Sequence, residues 1–215
     1  MTGRQPDRPA SHRIFIAIPL PDAAIRDITE IVEATRAAAD PAARDVRWVR
    51  LEGLHLTLRF IGQAETGRVE VVASAVARAA ARIAPFDVAI EGAGSFPTTG
   101  RPRVLWLGVT SGAAELTAAA AALHDELAAA GIARDDRAYR AHLTVARADG
   151  IATGADVARR LIVAAEGRRT TFSATEMILF ETVPGGGPAR YRALRIVALA
   201  GTGARGNEAS AAESR

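Results

Sequence analysis

The 215-residue chain contains no cysteine and no lysine. Without thiols it can form no disulfide, no thiolate metal site and no cysteine nucleophile. All 27 of its cations are arginines, so any cation that meets a phosphate must do so as an arginine fork. Against 24 acidic residues the formal net charge is only +3, and the pI of 10.4 is high because two tyrosines are all that titrates near pH 10. This weakly basic balance selects no partner class. Apolar runs are short as well. The longest near the start, Ile14 to Ile18, is cut off by Pro19 and Pro21. Nothing approaches the roughly 18 residues of a membrane span. Residues 1–12 are polar and proline-rich, unlike a secretion signal, so the expectation is a cytoplasmic protein. With 49% hydrophobic residues the chain can bury an ordinary core, as one domain or two joined lobes of about 100 residues each.

Periodicity supplies the elements. Residues 13–18 read as a strand, and Asp22 is placed to cap a helix whose Ile25, Ile28, Ile31 and Val32 share a face. Short and long strands follow at 46–49 and 54–61, then a helix over 65–83. Strands at 86–90 and 104–109 flank a Gly/Pro-rich loop. A helix over 113–130 stops at Gly131, and 141–146 is a strand. A helix over 154–165 precedes strands at 171–182 and 190–199, joined by a turn from Pro184 to Pro188. Residues 1–12 form a polar leader, and 200–215 a tail whose composition predicts no fixed structure. Strands next to strands with only four helices indicate α+β with antiparallel sheets.

Among the four histidines, two open twin tetrapeptides, His55-Leu56-Thr57-Leu58 and His142-Leu143-Thr144-Val145. Given this composition, two such matches arise by chance on the order of twice in a thousand. On a strand, alternate residues share a face, so His55 and Thr57 project together, as do His142 and Thr144, with the leucines behind. If the two strands face each other across a cleft, two imidazoles and two hydroxyls converge. That set suits phosphoester chemistry. One imidazole takes a proton from the attacking oxygen, the other gives one to the leaving oxygen, and the hydroxyls hold the non-bridging oxygens. The alternative for each histidine is a buried strand residue with a satisfied ring, and for each threonine a plain strand former. Arg59 alternates onto the face of His55. Arg101 and Arg103 flank the loop before 104–109, where a solvated edge is the default. Phe15 and Trp106 could stack on a base, but core packing is the ordinary fate of a strand aromatic. His12 in the leader and His124 on a helix suggest no role, and these scattered histidines make no metal site.

The chain resembles the 2H phosphoesterase superfamily, in particular the RNA 2′,3′-cyclic phosphodiesterases also called 2′-5′ RNA ligases. The resemblance rests on the run from Arg13 to Pro19, the run from His55 to Gly62, Arg101-Pro102-Arg103 with the strand to Val109, and the run from Tyr139 to Arg147. It covers about residues 13–199, which it implies are a single bilobal catalytic domain. The implied architecture has a pseudo-two-fold axis, with two antiparallel sheets lining a central cleft and helices outside. It also implies action on RNA that ends in a 2′,3′-cyclic phosphate, without a cofactor; a small cyclic nucleotide fits as well, and the protein is expected to be a monomer with no metal. Hydrolysis to a 2′-phosphate would use His55 as proton donor and His142 as proton acceptor. The residues alone do not separate those two roles. Thr57, Thr144 and Arg147 would bind the phosphate. Strict alternation from His142 sends Arg147 to the wrong face, so its role requires a bulge. Ala141 stands where the family often has proline, which affects only the entry to the strand. The same site could serve 2′-5′ RNA ligation or 2′-5′ oligonucleotide cleavage. A non-catalytic nucleotide- or RNA-binding module is the reading from another class, and the intact histidine pair weighs against it.

Overall fold

The computed structural model describes residues 11–39, 46–148, 153–183, 185 and 188–201. Among the described residues, nine strands form two antiparallel sheets. The first, of four strands, places β1 (Ser11–Pro19) between β3 (His55–Glu65) and β8 (Glu176–Val183), with β9 (Arg190–Ala198) beyond β8. The second runs β2 (Val46–Trp48), β6 (His142–Ala148), β5 (Val104–Ser111), β4 (Phe86–Phe96) and β7 (Arg169–Ala174). This is the expected α+β architecture.

Alternation decides which face of each sheet meets a helix. Ile14, Ile16 and Ile18 of β1 join Leu56, Met177 and Leu179 in one core. That face lies under α2 (Thr66–Ala80), which buries Val69, Val72, Val76 and Ala80 toward it. α3 (Ala113–Ala129) packs on α2, while α1 (Asp22–Ala38) and α4 (Thr153–Ala165) pack together over the second sheet. α3 ends as its sequence implies: Gly131 takes φ +77°, a conformation that costs glycine little, and Ile132 N–H closes the end on the Leu127 carbonyl at 2.9 Å.

Several expectations are corrected. Ser11 and His12, assigned to the leader, already pair in β1 with Glu65 and Ala64. Asp22 makes no cap hydrogen bond. Pro21 is the N-cap, and Asp22 sits in the first turn, where its charge favours the helix dipole. The single strand expected over 171–182 is two strands, broken at Thr175, with β7 in one sheet and β8 in the other. β4 runs on to Phe96, beyond its expected end at Ile90. At the start of the tail, Ala200 and Gly201 donate backbone bonds to the Ala80 and Ile83 carbonyls. The rest of the tail, the leader before Ser11, and most of the 184–188 turn lie outside the described residues.

Candidate active site

Each motif strand turns its histidine and threonine away from the helices. His55 pairs with Pro19 and Thr57 with Ala17, while Leu56 pairs with Ile18 on the core side. His142 lies opposite Gly108 and Thr144 opposite Trp106, with Leu143 and Val145 fully buried behind them. All four site side chains are half-buried.

The two imidazoles are held alike. His55 Nδ1 lies 2.7 Å from the Gly53 carbonyl, and His142 Nδ1 lies 2.7 Å from the Arg140 carbonyl. A carbonyl can only accept, so each Nδ1 carries its hydrogen and each Nε2 is left to exchange a proton. An aromatic ring meets each imidazole edge-on: Tyr191 at 5.1 Å and 90° for His55, Phe96 at 5.0 Å and 89° for His142. Phe15 adds a tilted contact to His55 at 4.8 Å. Burial lowers the pKa of His55, and the bond to Gly53 only partly offsets it. Burial also lowers that of His142, its bond to Arg140 opposes the shift, and the charge of Arg147 lowers it further.

The charge of Arg147 is felt in both halves. Burial raises the pKa of the Tyr191 phenol, and the charges of Arg147 and Arg13 pull it back down. Arg147 is therefore within electrostatic reach both of His142 and of the tyrosine that packs on His55. The backbones of β3 and β6 also approach within 8 Å Cα to Cα. The two half-buried imidazoles, 87 positions apart in the chain, thus lie on strands that approach each other.

A sequence model of the 2'-5' RNA ligase superfamily matches residues 20–185. The chain belongs to that superfamily. An RNA 2',3'-cyclic phosphodiesterase of Geobacillus stearothermophilus is 32% identical over 169 residues, which are 78% of this chain and 51% of that protein. One of Archaeoglobus fulgidus is 33% identical over 138 residues, 63% of this chain and 72% of that protein. Among solved structures, E. coli LigT complexed with 3'-AMP superposes with a TM-score of 0.69 at 26% identity, covering 88% of this chain and 99% of that one.

Within this superfamily fold, strand bulges decide which arginines reach the site. Between Trp106↔Thr144 and Leu105↔Ala146 the ladder skips Val145. Val145 and Ala146 are both buried in succession, and Arg147 emerges on the exposed side with His142 and Thr144. The bulge that the Arg147 role demanded is present. A second bulge has the opposite effect on Arg59. Ile16 pairs with Arg59 and Ala17 with Thr57, so Leu58 is skipped and Arg59 turns to the helix side. There it donates to the Ala133 carbonyl at 2.6 Å and pairs with Asp135 at 2.9 Å, away from the His55 face where alternation had placed it.

Phe15, at 2% exposure, cannot receive a base. It is the hub of an aromatic cluster with Phe60, Phe180 and Tyr191 that supports the His55 ring. Trp106 is half-buried on the site face, packed on Phe96 at 5.2 Å. Arg101 and Arg103 are exposed, and His124 stays on α3. His12 does have partners: its Nδ1 lies 2.6 Å from Glu181 Oε1, and Arg192 holds the other oxygen of that buried carboxylate. Tyr191 and Phe96 were the functional neighbours that the sequence did not signal. Nothing in the alternation of β9 marks Tyr191, and only its pairing with Thr182 brings it beside His55. Among the described residues, no group of three or more His, Asp or Glu could hold a metal ion.

Proposed function

We propose that residues 13–199 form a phosphodiesterase that opens the 2′,3′-cyclic phosphate at an RNA terminus to a 2′-phosphate, with His55 and His142 as its acid–base pair. The observation that carries this reading is the matched pair of imidazoles, each with Nδ1–H fixed on a backbone carbonyl, which leaves Nε2 as the nitrogen that can exchange a proton. The names of the relatives described above supply the substrate class. Because the matched stretch spans only about half of the Geobacillus relative, that substrate is part of the proposal.

In the reaction, His142 Nε2 removes a proton from water as its oxygen bonds to phosphorus. The P–O3′ bond breaks, and protonated His55 delivers its Nε2 proton to the departing O3′. The Thr57 and Thr144 hydroxyls donate to the non-bridging oxygens, and Arg147 pairs with their charge. The role assignment draws support from electrostatics. Burial lowers the pKa of both histidines, and Arg147 adds to the lowering at His142 alone, which favours the neutral ring that a proton acceptor needs.

The test is to incubate the protein, in EDTA, with an oligoribonucleotide ending in a 2′,3′-cyclic phosphate and to identify the product isomer. A 2′-phosphate is expected. A 3′-phosphate would contradict the assigned leaving group, and an unaltered terminus would overturn the reading.

A further inference from the structure

A cavity of about 450 Å³ lies along the open edge of β3, between that strand and the 132–137 loop that leads into β6. Its volume falls within the range of small-ligand sites and accommodates about one nucleotide. Four guanidinium groups border it (Arg59, Arg68, Arg134 and Arg137) against the carboxylates of Asp135 and Asp136. The deepest of these is the unusual one. Arg59 has a side chain only 12% exposed, and its Nε and Nη1 are buried without hydrogen-bond partners, although Nη1 lies 2.9 Å from Asp135. Asp135 is already held by both nitrogens of the Arg137 fork, at 2.9 and 2.8 Å. Arg59 is thus anchored by Ala133 and by the charge of Asp135, but among the described residues its Nε and Nη1 make no hydrogen bond, and a phosphate oxygen is an acceptor whose charge suits such a cluster of arginines.

Phe60 connects this cavity to the acid–base pair. It lines the cavity, is 50% exposed, and packs at 5.8 Å on Phe15, which in turn packs on His55. An exposed ring beside arginines is a stacking platform next to a backbone clamp, the combination that single-stranded nucleic acid uses.

We infer that this cavity holds the nucleotide on the 5′ side of the reacting terminus, with its base on Phe60 and its phosphodiester on the arginines, so that the protein acts on RNA chains in preference to cyclic mononucleotides. The inference rests on the phosphodiesterase reading and extends it to a second subsite.

The experiment compares kcat/KM for 2′,3′-cyclic AMP and for a hexaribonucleotide ending in the same cyclic residue, over a series of salt concentrations. The wild-type protein should favour the hexamer by at least about tenfold. Arg68→Glu should lower the hexamer value roughly tenfold, and Arg68→Ala should flatten its salt slope by about one. Asp136→Asn, which removes a like charge, should raise the hexamer value. Cyclic AMP turnover should be unchanged in all three variants, and their thermal melting would confirm that they are folded. Equal wild-type values for the two substrates, or an equal fall on both in Arg68→Glu, would overturn the subsite and leave the phosphodiesterase reading standing. Hydrolysis of neither substrate would overturn both.

Discussion

Gly53→Ala perturbs the site through a single methyl group. Gly53 lies in the turn before β3, and its carbonyl fixes the Nδ1–H of His55. Its φ is not positive, so the backbone itself does not exclude alanine, and what decides the outcome is the space for the added methyl. The new Cβ would stand 3.1 Å from Tyr191 Cδ2 and 3.5 Å from Cε2. Relief requires a shift of a few tenths of an ångström. Tyr191 has little room to give, because its ring is already seated on Phe15 at 5.0 Å and on His55 at 5.1 Å. The displacement therefore passes to the imidazole. A misplacement of about 1 Å costs on the order of a hundredfold in rate, so a few tenths should cost roughly three- to tenfold, or about 0.7–1.4 kcal/mol. The assay is kcat/KM on a cyclic-phosphate oligonucleotide, measured for Gly53→Ala alone and in a Tyr191→Leu background, where the smaller side chain leaves space. The first should be impaired and the second no worse than Tyr191→Leu itself. An equal loss in both backgrounds, or none in the first, would refute the idea that Tyr191 transmits the strain to His55.

Two further perturbations follow from the electrostatics. Arg147 lowers the pKa of His142, so Arg147→Gln should move the acid limb of the kcat/KM profile to higher pH, while Arg147→Lys leaves the limb in place. An unmoved limb in the glutamine variant would mean that the guanidinium does not act on that ring. Both site histidines have pKa values below the ordinary 6.5, so the native state binds fewer protons than the unfolded chain as pH falls through and below that value. Stability should thus fall as pH drops from 7.5 to 5.5, and less steeply in His55→Gln. Parallel urea-denaturation curves for the two proteins at both pH values would contradict this.

The twin motifs could be read in the sequence because period-two alternation is local. Once β3 and β6 are strands, His55 with Thr57 and His142 with Thr144 share faces whatever surrounds them. Arg147 and Arg59 show where that logic ends. Each lies beyond a skipped residue, Val145 in one strand and Leu58 in the other. A skipped residue is set by the neighbouring strand and not by the local pattern. One bulge brings Arg147 to the site, and the other takes Arg59 to the β3 edge. Tyr191 was beyond reach for a different reason. β9 alternates weakly, and its place beside His55 depends on β8 leaving the sheet of β7 at Thr175, inside what reads as one unbroken strand.

The central claim is that two imidazoles act as one unit on a single phosphorus atom. It is tested most directly by the turnover of a cyclic-phosphate oligonucleotide by His55→Ala, His142→Ala and the double variant. Each single substitution should cost on the order of 10²–10⁴ in rate, and the double should be little worse than the poorer single. Full activity in either single variant, or a double loss equal to the product of the two, would contradict the account.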